Sequence, residues 1–444
     1  MEIRQFEDKG LAHYAYAVYS EQAGEVILID PARDITPYVE YAASKKATIT
    51  GVIETHPHAD FVSSHLELHQ TTGATIYCSA LVGAAYPHTA FDEGKTLQIG
   101  TLTFKALNTP GHSPDSISIV LEEEGTVKAV FTGDTLFIGD CGRPDLREKA
   151  GNLTATRADL ARQMYHSLRE KLMTLPDDTY VYPAHGAGTL CGKSLSDANR
   201  STIGAEKLTN WSLQEYTEDA FVAELLSQQP YIPKYFPYDV DINRKGAPAL
   251  VSSLEKVPAP ASGEALENGV LLVDTRSGAA FKQSHLPHAI NLQLKGKFET
   301  WLGSVVAPGE AFYLLAADAQ QLKEALHRAA SIGYESMIRG AMVYAGGTET
   351  MAPVPLDQLR AHPEDFTIVD VRMENEIQAG ALLPGSIAIP LDQLRERLNE
   401  IPVSKPVVVH CAGGYRSAAG SSIVADALKG QVPVYDLGED IKTF

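Results

Sequence analysis

Four short clusters of His, Asp and Gly punctuate the N-terminal half of the chain: Thr55-His56-Pro57-His58-Ala59-Asp60-Phe61, Pro110-Gly111-His112-Ser113-Pro114, Thr132-Gly133-Asp134-Thr135 and Pro183-Ala184-His185-Gly186. The apolar runs around them, such as 25–30, 47–54 and 127–132, are short and rich in β-branched residues, the pattern of strands. Loops at strand ends are where a rigid scaffold presents ligands, and His combined with Asp suits a first-row transition metal. A lone His in such a place is usually structural. Four clusters of this kind, three of them beside a Gly, point to a metal site on a sheet-based frame.

The first cluster stops one residue short of H-x-H-x-D-H, the signature of two-metal hydrolases, because Phe61 stands where the last His would. An aromatic ring cannot ligate, so the residues here favour one metal over two.

The chain has 444 residues, room for roughly three domains of about 150 each. Its net charge, 37 − 56 = −19, argues against nucleic acid or an anionic membrane as partner. No apolar run approaches the ~20 residues of a membrane span, and the first residues lack the apolar core of a signal peptide. Cys78, Cys141, Cys191 and Cys411 lie far apart. Such sparse use suggests a reducing cytoplasm, with any special Cys reactive rather than bridged.

Helical spacing of Leu160, Met164, Leu168 and Leu172 predicts a helix from Arg157 to Leu175, stopped by Pro176. A second amphipathic helix is expected at 215–229, followed by a Pro/aromatic arm at 230–237 read as packed extended chain. A break at 258–263 reads as a domain boundary. Beyond it lies an internal repeat: Leu271-Leu-Val-Asp274-Thr-Arg276 is echoed by Thr367-Ile-Val-Asp370-Val-Arg372, and the stretch 285–291 by 382–388. An offset of 96 or 97 residues marks a repeat of whole domains. Alternating strand and helix in each copy implies a parallel sheet covered on both faces.

The order and spacing of the four clusters resemble the metallo-β-lactamase fold, an αββα sandwich, over about residues 1–250. Within that fold the persulfide dioxygenase branch uses one non-haem iron. Its ligands match His56, His112 and Asp134, which leaves positions for a substrate sulfur and O2. The resemblance implies one Fe(II) per chain, with zinc able to replace it in purified protein. It makes His58, Asp60 and His185 either supports for the ligands or remnants of a two-metal site. Cys141-Gly142-Arg143-Pro144-Asp145 resembles a segment of the same branch and makes Arg143 a candidate for the substrate's anionic end. The small-residue loop after His185 disfavours glutathione and is more similar to bacterial fused enzymes that use other thiols. Cys191 in that loop is either an inert buried thiol or a group near the iron that handles sulfane sulfur.

Val407–His410 reads as a buried strand ending at Cys411-Ala-Gly413-Gly414-Tyr415-Arg416-Ser417, with a helix after it. A Cys on a Gly-rich loop before a helix gains aimed N–H groups and the positive helix end, which favour a thiolate or persulfide anion. Arg416 adds a fork for an oxyanion. The loop resembles the active loop of rhodanese sulfurtransferases, over about residues 355–444. Its C-x4-R spacing separates it from the C-x5-R of cysteine phosphatases. Asp370 and Arg372 are expected to pair structurally. The earlier copy has no Cys, so it resembles a degenerate rhodanese domain with a scaffolding or oligomer-forming task.

The expected architecture is therefore multidomain, α/β and α+β: an αββα metallo-β-lactamase sandwich (1–255), then two rhodanese-like doubly wound parallel-sheet domains, the first lacking the catalytic Cys (256–350) and the second active (351–444). The resemblance implies a homo-oligomeric persulfide dioxygenase and sulfurtransferase acting on a thiol persulfide and O2, with sulfite and thiosulfate as products. Cys411 and Arg416 would be catalytic, and Gly413, Gly414, Tyr415 and Ser417 would contact substrate. A glyoxalase II-like thioester hydrolase with an accessory rhodanese, and a persulfide sensor, are the alternatives.

Overall fold

The computed structural model describes residues 1–146, 155–193, 195–260, 266–344 and 346–444. The chain divides into two compact units, Met1–Ser252 with Ser331–Gly333, and Ser253–Ala330 with Tyr334–Phe444. Three residues of the expected 256–350 stretch thus cluster with the first unit. The last residues of the 258–263 break lie outside the described residues.

The first unit contains two six-stranded sheets. One runs, in sheet order, Glu2–Asp8, His13–Ser20, Glu25–Ile29, Thr48–Ile53, Thr75–Cys78 and Thr89–Ala90. It begins as an antiparallel meander and continues parallel from Glu25–Ile29 onward. The other runs Ser201–Thr202, Tyr180–Pro183, Thr126–Gly133, Ile117–Glu123, Leu102–Asn108 and Thr96–Ile99. It is antiparallel except between Thr126–Gly133 and Tyr180–Pro183.

Side-chain alternation along each strand builds three apolar layers. Tyr16, Val18, Ile27 and Ile29 meet Phe104, Ile119, Leu121 and Phe131 between the sheets. Their neighbours Ala15, Ala17, Val26 and Leu28 face the other way, onto Tyr38, Ala42 and Leu68 of the helices Thr36–Ser44 and His65–Thr72. Val120, Val130 and Val181 likewise meet Leu160, Met164, Leu168, Leu172 and Phe221. Each such fully buried aliphatic side chain contributes about 1.5–3 kcal/mol. Strands apolar on both faces and covered by helices are what make this an αββα sandwich.

The helix expected over Arg157–Leu175 is composite: α-helix Arg157–His166, a π turn Ser167–Lys171 and a 3-10 turn Leu172–Thr174. Thr156 and Asp159 close its start as a capping box. The Pro/aromatic arm is packed as expected, but its end is helical. Tyr235 and Phe236 are buried, and Phe236 opens the helix Phe236–Lys245.

The second unit holds two four-stranded parallel sheets. Their orders are Ala289–Asn291, Leu271–Asp274, Phe312–Ala316, Ile338–Val343, and Ile387–Ala388, Thr367–Asp370, Val407–His410, Val434–Asp436. Both copies follow one order, second-first-third-fourth, so the repeat seen in sequence is a repeat of topology. The Asp–Arg pairs repeat as well: Arg276 Nη2 lies 2.6 Å from Asp274 Oδ2, and Arg372 Nη2 lies 2.7 Å from Asp370 Oδ2. Each Arg also donates to a later carbonyl, of Ser284 or Gly380. Among the described residues no helix is long and apolar enough to cross a membrane.

Candidate metal centre and cysteine loop

All four clusters follow the ends of strands: Thr48–Ile53, Leu102–Asn108, Thr126–Gly133 and Tyr180–Pro183. The approach is close enough to dictate residue type. Gly133 has φ +52°, and a Cβ there would lie 2.5 Å from Thr55 Oγ1. Asn243 holds the first cluster from a distant helix, donating to the carbonyls of His58 and Phe61 at 2.8 and 2.7 Å and accepting from Ser63 N–H.

His56, His112 and Asp134 converge, with one donor atom from each lying within 4.8 Å of the others. Nε2 of His56 and of His112 lie 3.8 and 3.5 Å from Oδ2 of Asp134. Neighbouring bonds set both rings in the ligating tautomer. The Thr55 hydroxyl donates to Asp30 Oδ2, so its lone pair accepts Nδ1–H of His56 at 3.0 Å. Nδ1–H of His112 donates to the Arg143 carbonyl at 2.9 Å. Each Nε2 then carries a lone pair on the side of the cluster. Nε2 of His56 and Oδ2 of Asp134 are buried with no hydrogen-bond partner among the described residues. Orphaned buried polar atoms are costly unless something binds them, so the three donors fit a divalent ion.

Oδ1, the other oxygen of Asp134, accepts from Nδ1 of His185 at 2.7 Å, and Nε2 of His185 lies 2.8 Å from Asp60 Oδ2. Burial works against ionising Asp134, but the charge and hydrogen bond of His185 outweigh it and hold the carboxyl well below its ordinary range. Burial likewise opposes a charged His185, and Asp134 and Asp60 overcome it. His56 is pushed well below the ordinary imidazole range, first by burial and then by His58. His58 itself turns to Asp30, Nε2 to Oδ1 3.2 Å, and groups with Asp30 and Glu54.

Phe61 is fully buried in this cluster. Its ring centroid lies 3.8 Å from that of His13, 4.3 Å from His58 and 6.4 Å from His185. His13 was not singled out in the sequence. A His that opens an apolar strand carries no spacing signal, and only the fold brings it to Phe61.

Arg143 corrects an expectation. Its guanidinium is buried and engaged: Nε and Nη2 donate to the two oxygens of Asp145 at 2.7 Å, and Nη1 donates to the carbonyls of Leu190 and Tyr231. It braces loops instead of facing an open site. Cys191 is buried beside Asp60 and His185. Burial, then Asp60 and Asp134, push its thiol well above the ordinary range, so a free thiolate carrier is disfavoured there. Cys141 is a buried core residue.

In the second unit Cys411 ends the strand Val407–His410, and the helix Tyr415–Ala427 follows at once. Gly414 N–H points at Cys411 Sγ at 3.1 Å, and Gly414 takes φ +91° to turn into the helix. Arg416 does not hold an open fork. Glu376 takes both its Nη groups, Nη2 to Oε1 at 2.8 Å. Tyr415 turns its hydroxyl to the Gln293 carbonyl at 2.8 Å, and Ser417 is buried with its hydroxyl on Gly414 O. Gly413 alone of the expected substrate contacts lies exposed in the loop.

The metallo-beta-lactamase superfamily model matches residues 8–185, and the rhodanese-like domain model matches 355–442. A solved metallo-beta-lactamase of Staphylococcus aureus is 32% identical, with TM-score 0.69, covering 77% of this chain and 98% of that one. The chain belongs to the metallo-beta-lactamase superfamily. Within that superfamily it is similar to the mitochondrial persulfide dioxygenase ETHE1 of Homo sapiens, 30% identical over 186 residues, 41% of this chain and 67% of that protein. It is also similar to a hydroxyacylglutathione hydrolase of Rhodopseudomonas palustris, 31% identical over 175 residues, 39% of this chain and 62% of that protein.

Proposed function

We propose that the chain is a persulfide dioxygenase joined to a sulfurtransferase. The observation that carries this reading is the donor set His56, His112 and Asp134, two imidazoles and one carboxylate, with the Phe61 ring where a two-metal hydrolase needs a further His. A divalent iron bound there would supply O2 activation and a positive point for a persulfide anion. His56 and His112 would ligate through Nε2, since Nδ1 of each is held by a neighbour, and His185 holds Oδ1 of Asp134 so that Oδ2 faces the donors. The net reaction converts R–S–SH, O2 and water into the thiol R–SH, sulfite and two protons.

The rhodanese loop supplies the second step. A Cys411 thiolate takes the outer sulfur of a second persulfide, releasing the thiol and forming Cys–S–S⁻. Sulfite then attacks the outer sulfur, the S–S bond breaks, and thiosulfate leaves as Cys411 returns to thiolate. Gly414 N–H, 3.1 Å from Sγ, stabilises the thiolate. Making sulfite on the same chain as its acceptor limits release of a reactive product.

Product analysis tests the pairing. With a thiol persulfide and O2, the wild type should accumulate thiosulfate, whereas Cys411→Ser should accumulate sulfite at similar O2 uptake. Enzymatic thiosulfate from Cys411→Ser would overturn the assignment of Cys411.

A further inference from the structure

The helix Tyr415–Ala427 starts at the Cys411 loop, and one of its faces docks on the copy that lacks a Cys, within the second unit. Positions 415, 418, 422 and 426, three or four apart, share that face. The Tyr415 hydroxyl donates to the Gln293 carbonyl at 2.8 Å. A Cβ on Gly278 would lie 3.7 Å from Cβ of Ala418. Asn291 N–H donates to Ser422 Oγ at 2.9 Å, and Nδ1 of His288 lies 2.8 Å from Asp426 Oδ1. Ala425, beside this face, packs against the apolar cluster of Leu272, Phe281 and Ala289.

The first of these contacts bears on the chemistry. Gly413 and Gly414 precede Tyr415, and glycine confines the backbone least. The aim of Gly414 N–H, 3.1 Å from Cys411 Sγ, is therefore set by what holds the residues around it. On one side a Cβ at Gly414 would lie 3.0 Å from Glu439 N, so the Gly438-Glu439 turn closes on the loop. On the other side Tyr415 opens the helix and reaches out of its own copy to Gln293. Burial pushes the phenol above its ordinary range, so the hydroxyl keeps the proton it donates. Gln293 is itself buried, and its Oε1 accepts Gly278 N–H at 3.1 Å, which pins the segment that carries the carbonyl.

We propose that Tyr415 is a positioning residue through which the copy lacking a Cys takes part in sulfur transfer: the Gln293 carbonyl fixes Tyr415, and Tyr415 fixes Gly414 N–H against the Cys411 sulfur. The proposal rests on the reading of Cys411 as the sulfur carrier. It gives the earlier copy a task in the reaction, beyond spacing or oligomer formation. Arg416 leans on the same copy, with Cζ 5.8 Å from the centroid of the Trp301 ring.

Full-length Tyr415→Phe keeps the ring and loses the bond. Cys411 is alkylated with iodoacetamide at mildly acid pH, where the thiolate fraction limits the rate, and followed by mass spectrometry of its peptide. Thiosulfate:cyanide transfer is measured alongside. The alkylation rate should fall about two- to fivefold, on the scale of one hydrogen bond. The kcat for transfer should fall with it, while KM stays within about twofold. Ser422→Ala removes a contact of the same face further along the helix. It should lower the melting temperature and leave the alkylation rate unchanged. Gln293→Leu, which frees the segment carrying the carbonyl, should reproduce the loss, and it decides the outcome if Tyr415→Phe does not fold. An unchanged alkylation rate in folded Tyr415→Phe, or an equal loss in Ser422→Ala, would overturn the proposal. Alkylation needs no sulfur donor, so a wild type that transfers no sulfur would remove the carrier reading of Cys411 and would not be mistaken for either result.

Discussion

His185 Nδ1 lies 2.7 Å from Asp134 Oδ1, so one oxygen of the carboxylate is committed to His185 and the other, Oδ2, faces Nε2 of His56 and His112. The bond decides how Asp134 presents itself to an ion. His185→Leu removes it, leaving Oδ1 buried and free to rotate into the site. Loss of such a supporting bond typically weakens metal binding 10- to 100-fold. Competition with a chelator should show iron affinity at the His56/His112/Asp134 site falling by about that factor; an unchanged affinity would deny His185 this task.

Asp134→Ala should separate the two activities. It removes a ligand in the first unit, while the Cys411 loop belongs to the second. Bound iron and O2 uptake should both be lost, and thiosulfate:cyanide sulfur transfer should stay within about twofold of wild type, since independent sites behave nearly additively. A parallel collapse of sulfur transfer would show that the units depend on each other.

Glu376 and Arg416 make a subtler case. The carboxylate occupies the fork that an oxyanion would use. Burial works against ionising Glu376, but the Arg416 hydrogen bond outweighs it, so the group stays charged and competes with an anionic acceptor. Glu376→Gln removes that charge. KM for sulfite or thiosulfate should fall several-fold with a smaller change in kcat. An unchanged KM would mean that Arg416 does not contact the anion.

Acid should destabilise the first unit through His65. The ring is buried, with its centroid 4.4 Å from that of Tyr86. Burial, then His58 and Arg33, depress its pKa from 6.5 to about 3. The unfolded chain therefore binds a proton that the folded chain refuses between these values. Stability is fully present above pH 6.5 and is lost as pH falls toward 3. His65→Leu should flatten that decline, read as the urea midpoint against pH; parallel profiles for variant and wild type would exclude His65 as the source.

What the sequence disclosed and what it hid follow from the range of the interactions. His56, His112 and Asp134 were legible because short loops after strands carry their chemistry in a few adjacent residues. The tandem copies were legible because Asp274–Arg276 and Asp370–Arg372 are local pairs that recur at one spacing. Asn243, which fixes the first loop from 182 positions away at Phe61, left no local trace, and neither did His13 or the Glu376 partner of Arg416. Arg143 shows the converse: residue type and neighbourhood suggested an anion contact, whereas its burial and its bonds to Asp145, Leu190 and Tyr231 make it a brace. The helix of 157–174 kept its apolar spacing while changing its winding at Ser167–Lys171, which periodicity alone does not resolve.

The most direct measurement is O2 consumption by protein reconstituted anaerobically with Fe(II) or with Zn(II), given a thiol persulfide. A persulfide dioxygenase role predicts one O2 consumed per persulfide oxidised by the iron form, sulfur recovered as sulfite and thiosulfate, and no O2 uptake by the zinc form. Thioester hydrolysis by the zinc form, with no O2 uptake by the iron form, would contradict it.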